Sequence, residues 1–157
     1  MNEYKQFLNV SSELTGFRAR ALDDANYPIT ITNRDQLPTK YYLATCKERM
    51  GAQFVIDELL KPMASKVQKA ALDANPSKQG LAARALTKLW YTGVWTQPFD
   101  YGSYKTGDQH VVNATGYKRG LMWMAGQTHA MGYSELPFGY WANPPTESLD
   151  DLMKGKH

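Results

Sequence analysis

The stretch "LTKLWYTGVW", Leu86 to Trp95, decides how this chain is read. Its first half repeats apolar side chains at helical spacing, and its second half stops them. Ala82, Leu86, Leu89 and Gly93 fall on one face of a helix predicted over 78–92, with Trp90 beside them. Gly93 stands where a left-handed residue ends a helix, and Ser77 within "NPSKQG" is placed to cap its start. A helix with so broad an apolar stripe needs other helices to cover it.

Working outward, residues 3–15 supply one such helix, with Tyr4, Phe7, Leu8, Ser11 and Leu14 at buried spacing, Asn2 as cap and Gly16 as terminator. From Lys40 to about Ala74, Met50, Phe54, Leu60, Met63 and Val67 keep roughly helical spacing, and Pro62 is expected to kink or split the element. A last helix is predicted over about 117–130, with Leu121, Met122, Met124 and Ala125 around Trp123. "FRARALDDA" reads as a short helix, and "NYPITITNRDQLP" as an extended excursion with at most a marginal strand. Val94 to Thr115 is rich in Gly, Tyr, Asp and Ser, and reads as a long loop with one turn of strand at "HVV". The expected fold is therefore mostly α: a single helical domain over 1–157 with four or five helices, a long Gly/Tyr-rich loop and an irregular C-terminal strap. Residues 1–2 and 147–157 are expected to be frayed, and a sheet is not expected.

Composition bounds the function. At 157 residues and 43% hydrophobic, the chain can bury a real core. Its net charge of +3 is mild and its lysines and arginines are scattered, which argues against a nucleic-acid groove. Cys46, the only cysteine, excludes an intrachain disulfide and any cysteine-rich zinc or iron–sulfur site, and is expected to be a buried thiol. No apolar run reaches the length of about 18 residues that spans a bilayer. "MNEYKQFLNV" has neither the basic nor the apolar region of an export signal.

No catalytic, cofactor-binding or metal-binding set emerges. His110, His129 and His157 lack a second ligand at i+3 or i+4 and read as surface or capping residues. Asp23-Asp24 and Asp150-Asp151 are adjacent, so on a helix their carboxylates diverge. Phosphate loop, G-x-G-x-x-G and G-x-S-x-G patterns are absent. The aromatics remain. Trp90 and Trp123 belong to helical stripes and read as core. Trp95 and Trp141 lie in Gly/Pro-rich chain, where core and interface are equally open readings, and Tyr and Trp serve interfaces well because they join apolar area to a polar tip. The expected partner interface is Trp95, Tyr140, Trp141, Pro144 and Pro145, with the paired prolines as a stiff strap.

Taken in order, "LTG" (Leu14–Gly16), "LWYTG" (Leu89–Gly93), "GLMWMAG" (Gly120–Gly126) and "GYWANPP" (Gly139–Pro145) resemble the small (gamma) subunit of bacterial membrane-bound FAD-dependent dehydrogenases for sugars, polyols and gluconate. The resemblance covers about Phe7 to Pro145. It implies a non-catalytic subunit without a cofactor of its own, which binds, stabilises and helps export the large FAD-containing catalytic subunit. Electrons would pass from there to a multi-haem cytochrome c subunit at the periplasmic face of the inner membrane, with haem c and an iron–sulfur cluster elsewhere in the complex. The chain departs from the family pattern in lacking a twin-arginine leader and in the length of its 23–49 and 96–112 segments. The alternative is a stand-alone helical enzyme or ligand-binding domain using the 95–115 loop, for example His110 with Asp100 or Asp108.

Overall fold

The computed structural model describes residues 2–23, 38–126, 128, 130 and 153. They form α1 (Glu3–Thr15), α2 (Ala19–Leu22), α3 (Pro38–Met50), α4 (Ala52–Phe54) running into a π-helical turn (Val55–Leu60), α5 (Ala64–Leu72), α6 (Lys78–Thr92), β1 (Val94–Thr96), β2 (Gln109–Val111), α7 (Ala114–Lys118) and α8 (Leu121–Ala125). The fold is mostly helical, as the spacing of apolar residues predicts.

Two helices start and stop where the sequence places them. Asn2 accepts from the Tyr4 N–H at the start of α1, and Gly16 closes its end with a bond from its own N–H to Ser12. Ser77 accepts from the Gly80 N–H at the start of α6, and the Gly93 N–H closes on Leu89. Between them α6 buries Ala82, Ala83, Leu86, Leu89 and Trp90. This face meets Phe7 and Val10 of α1, Tyr42 of α3 and Leu59 of the π-helical turn in one core. Trp90 is its hub, with the Tyr42 ring edge-on at 4.9 Å and the Phe7 ring at 6.3 Å. Cys46 is fully buried in the same cluster.

The middle helix divides further than its apolar spacing indicates. Pro62 ends the π-helical turn, as expected, but a second break falls at Gly51. Gly51 has φ of 93°, and a Cβ there would lie 2.8 Å from the Tyr101 hydroxyl. Only glycine takes this backbone angle readily while leaving room for the ring. The last predicted helix is likewise two short ones, α7 and α8, separated at Arg119–Gly120. Trp123 is half-buried there rather than fully enclosed.

The predicted loop also contains more order than expected. Val94, Trp95 and Thr96 pair antiparallel with Val111, His110 and Gln109, so a two-stranded ribbon stands where no sheet was foreseen. Alternation is too short in three-residue strands to register as a period. The excursion 24–37 and the strap carrying "GYWANPP" lie outside the described residues.

Candidate functional site

Three of the sequence landmarks, far apart in the chain, meet at one end of the helical layer. Tyr91 of "LWYTG" donates its hydroxyl hydrogen to the Thr15 carbonyl of "LTG" at 2.9 Å. Burial raises the Tyr91 pKa, so the phenol stays protonated and remains the donor. Its ring also stands edge-on to Phe17 at 6.3 Å. Gly93 has φ of 70°, and a Cβ there would come within 2.5 Å of Tyr117 Cα. At Gly120, the first residue of "GLMWMAG", a Cβ would lie 2.7 Å from the Tyr91 carbonyl oxygen. Trp123 donates Nε1–H to the Tyr117 carbonyl at 3.0 Å, and the two rings meet edge to face. Residue 153 returns here as well: Met153 bridges to Phe17, and its carbonyl accepts from Arg18 Nε at 3.3 Å.

Beside this junction runs an open groove of about 430 Å³ between α5 and α6, bounded at one end by α1. Leu14, Ala71 and Leu72 line it from one side, and Arg84, Lys88 and Tyr91 from the other. The sequence explains its make-up. Positions 84, 87, 88, 91 and 92 of α6 recur at i, i+3, i+4, i+7 and i+8, the helix face turned away from the core stripe. Leu72, the last residue of α5, is 78% exposed at the groove, well beyond what a core contact leaves. The Arg84 guanidinium caps the end of α5, donating to the Ala71 carbonyl at 2.7 Å and the Asp73 carbonyl at 2.6 Å. Lys88 is exposed and has no ion-pair partner among the described residues. Sequence reasoning missed this groove. The signal available was the second, mixed stripe of α6, opposite the apolar one.

Trp95, expected at a partner interface, belongs instead to this chain's own interior. It is fully buried and donates Nε1–H to Gln97 Oε1 at 3.0 Å. Gln97 is buried too, and its Nε2 donates to the Arg49 and Phe99 carbonyls at 2.7 and 2.8 Å. Gly/Pro-rich chain can therefore enclose a tryptophan when a ribbon folds it back onto a helix end. Tyr140, Trp141, Pro144 and Pro145 lie outside the described residues.

The loop residues named for an alternative enzyme do not assemble as one. Asp100 accepts from the Thr106 N–H at 2.9 Å, from its hydroxyl at 2.8 Å and from Lys105 at 3.1 Å. These bonds, the Thr106 N–H first, draw its pKa down to about 2. Asp108 accepts from the Lys105 N–H, closing the same turn. Neither aspartate bonds to His110 among the described residues. His110 pairs with Trp95 across the ribbon instead, and its pKa is lowered mainly by partial burial and then by the Arg49 charge. The Arg49 guanidinium sits 4.0 Å above the Tyr104 ring, whose hydroxyl donates to Glu48 at 2.8 Å. This set clamps the ribbon onto the end of α3.

Burial pushes the Cys46 thiol up to about 12, which removes it as a nucleophile near neutral pH. No group of three or more His, Cys, Asp or Glu that could hold a metal ion occurs among the described residues. No helix among them is long and apolar enough to cross a membrane. No family model, curated protein or solved structure matches the chain.

Proposed function

We propose that this chain is a non-catalytic small subunit that binds and stabilises the FAD-containing catalytic subunit of a sugar, polyol or gluconate dehydrogenase complex, and assists its export. In this reading the flavin and the oxidation belong to the partner. A cytochrome c subunit accepts the electrons, and the assembly resides at the periplasmic face of the inner membrane.

The observation that carries the reading is the convergence of "LTG", "LWYTG" and "GLMWMAG". The Tyr91–Thr15 bond and the Gly93 and Gly120 contacts join them in one junction. Leu14 and Tyr91, from two of these segments, also line the groove beside it. The ordered motifs thus behave as one three-dimensional unit next to an exposed surface, as a docking element would.

The test is co-expression with the FAD-containing catalytic subunit of a sugar, polyol or gluconate dehydrogenase complex, followed by gel filtration with a visible spectrum. Flavin absorbance co-eluting with this chain at a fixed ratio, and a thermal transition of this chain raised by the partner, are expected. Separate elution of the two proteins, with no change in the melting temperature of this chain, refutes the reading.

A further inference from the structure

We infer that the α5–α6 groove is the docking site for an amphipathic helical segment of the partner that presents leucine-like side chains flanked by carboxylates. This rests on the partner-binding reading above but not on the partner being a flavoprotein. Three features point to this occupant. The groove lies between two helices, the shape that receives a third helix by its apolar face. Leu72 supplies an apolar lip that is 78% exposed, and with Leu14 and Ala71 it makes one wall of the trough apolar. The charges along it are cationic: Arg84 and Lys88 line it, and among the described residues none of its lining side chains is acidic.

The two cations have different roles. Arg84 is held by the Ala71 and Asp73 carbonyls, so the wall it builds is rigid before any partner arrives. Its charge still faces outward. Lys88, one turn further along α6, has its ammonium group uncommitted among the described residues and can close on a carboxylate. A small-molecule pocket would aim several polar groups at a single point, whereas these line one edge of an open trough. An extended amphipathic segment matches that arrangement.

The experiment has two arms on the full chain. In the first, amide NMR spectra are recorded while a synthetic peptide with leucines at i, i+3, i+4 and i+7 and glutamates elsewhere is added. A second peptide with lysines in place of the glutamates serves as comparison. Shifts centred on Ala71, Leu72, Lys88 and Tyr91 are expected with the acidic peptide, and roughly fivefold weaker binding by the basic one. Lys88→Glu should weaken the acidic peptide by a similar factor, and Leu72→Gln by about tenfold. Both residues are exposed, so the helical circular-dichroism signal should be unchanged.

In the second arm the same variants are co-expressed with the FAD-containing catalytic subunit. If the wild-type complex forms and both variants bind as tightly, the groove inference is overturned while the subunit reading stands. If no complex forms but the acidic peptide still occupies the groove, the subunit reading falls and the groove inference stands. Absence of groove shifts with the acidic peptide, or equal binding of the basic one, overturns the inference. Groove shifts that appear on raising the protein concentration alone would also overturn it, because a second copy would then be the occupant.

Discussion

The two buried tryptophans of "LTKLWYTGVW" should respond oppositely, in their polar energetics, to the same substitution. Trp90 is 2% exposed and Trp95 is fully buried, so replacing either by Phe removes apolar contacts and leaves a void. That common loss is about 1–2 kcal/mol. The indole N–H then separates the two. At Trp95 it bonds to Gln97 Oε1, and Gln97 is itself only 1% exposed. Trp95→Phe therefore strands a buried acceptor, which adds about 1–3 kcal/mol. At Trp90 the buried N–H has no partner among the described residues, so Trp90→Phe removes a group that is already unsatisfied. Relief of that orphan offsets about 1 kcal/mol of the packing loss. We expect Trp95→Phe to cost about 3 kcal/mol and Trp90→Phe about 1 kcal/mol or less, from these terms. In a chain of this size, the difference of about 2 kcal/mol separates the melting temperatures by roughly 4–8 °C. Denaturant titration of both variants at matched slope gives the free energies directly. Equal costs, or a larger cost at Trp90, would refute the argument, because the hydrogen-bond assignments are what set the order.

Further outcomes follow from the same geometry. Gly93→Ala should destabilise the chain by about 2 kcal/mol or more, because a left-handed angle and a 2.5 Å approach to Tyr117 Cα act together. Gly102→Ala, with φ of 57° but nothing within 4 Å, should cost only about 1 kcal/mol in the same melt. For Cys46 the folded pKa of about 12 lies above the ordinary thiol value of 9.0, so its contribution is present below pH 9 and is lost as pH rises. Stability should fall above pH 9 by up to about 1.4 kcal/mol per pH unit from this group, and Cys46→Ala should flatten that slope in alkaline melts. Thiol-reactive dyes at neutral pH should label Cys46 only as fast as the chain opens. Asp100, held down at about 2, stays ionised until strongly acid pH, so the Thr106 amide should keep its chemical shift well below pH 3.8 and move near pH 2. A midpoint for that amide near 3.8 would show that the 100–106 turn is not closed by this carboxylate.

The helices α1 and α6 were legible in the sequence to the residue. Their start and stop depend on local chemistry that the sequence carries: Asn2 and Ser77 caps, Gly16 and Gly93 terminators, and an apolar stripe of helical period. Pro62 was readable for the same reason, since a proline breaks a helix whatever surrounds it. The break at Gly51 was not, because it answers to Tyr101, which lies 50 positions away in the chain. The 94–111 ribbon escaped because three-residue strands are defined by their pairing, not by alternation. Trp95 shows the limit most clearly. Its neighbours Gly93, Thr96 and Pro98 give no local reason for burial, and only the ribbon folding back on the end of α3 encloses it and supplies Gln97 as acceptor. The candidate groove stands between these cases. The helical period sets Arg84, Lys88 and Tyr91 on one face of α6, a stripe the sequence reading did not single out. Only the packing of α5 and α1 against α6 brought Leu72 and Leu14 opposite them, because contacts between helices depend on orientation and no periodicity encodes it.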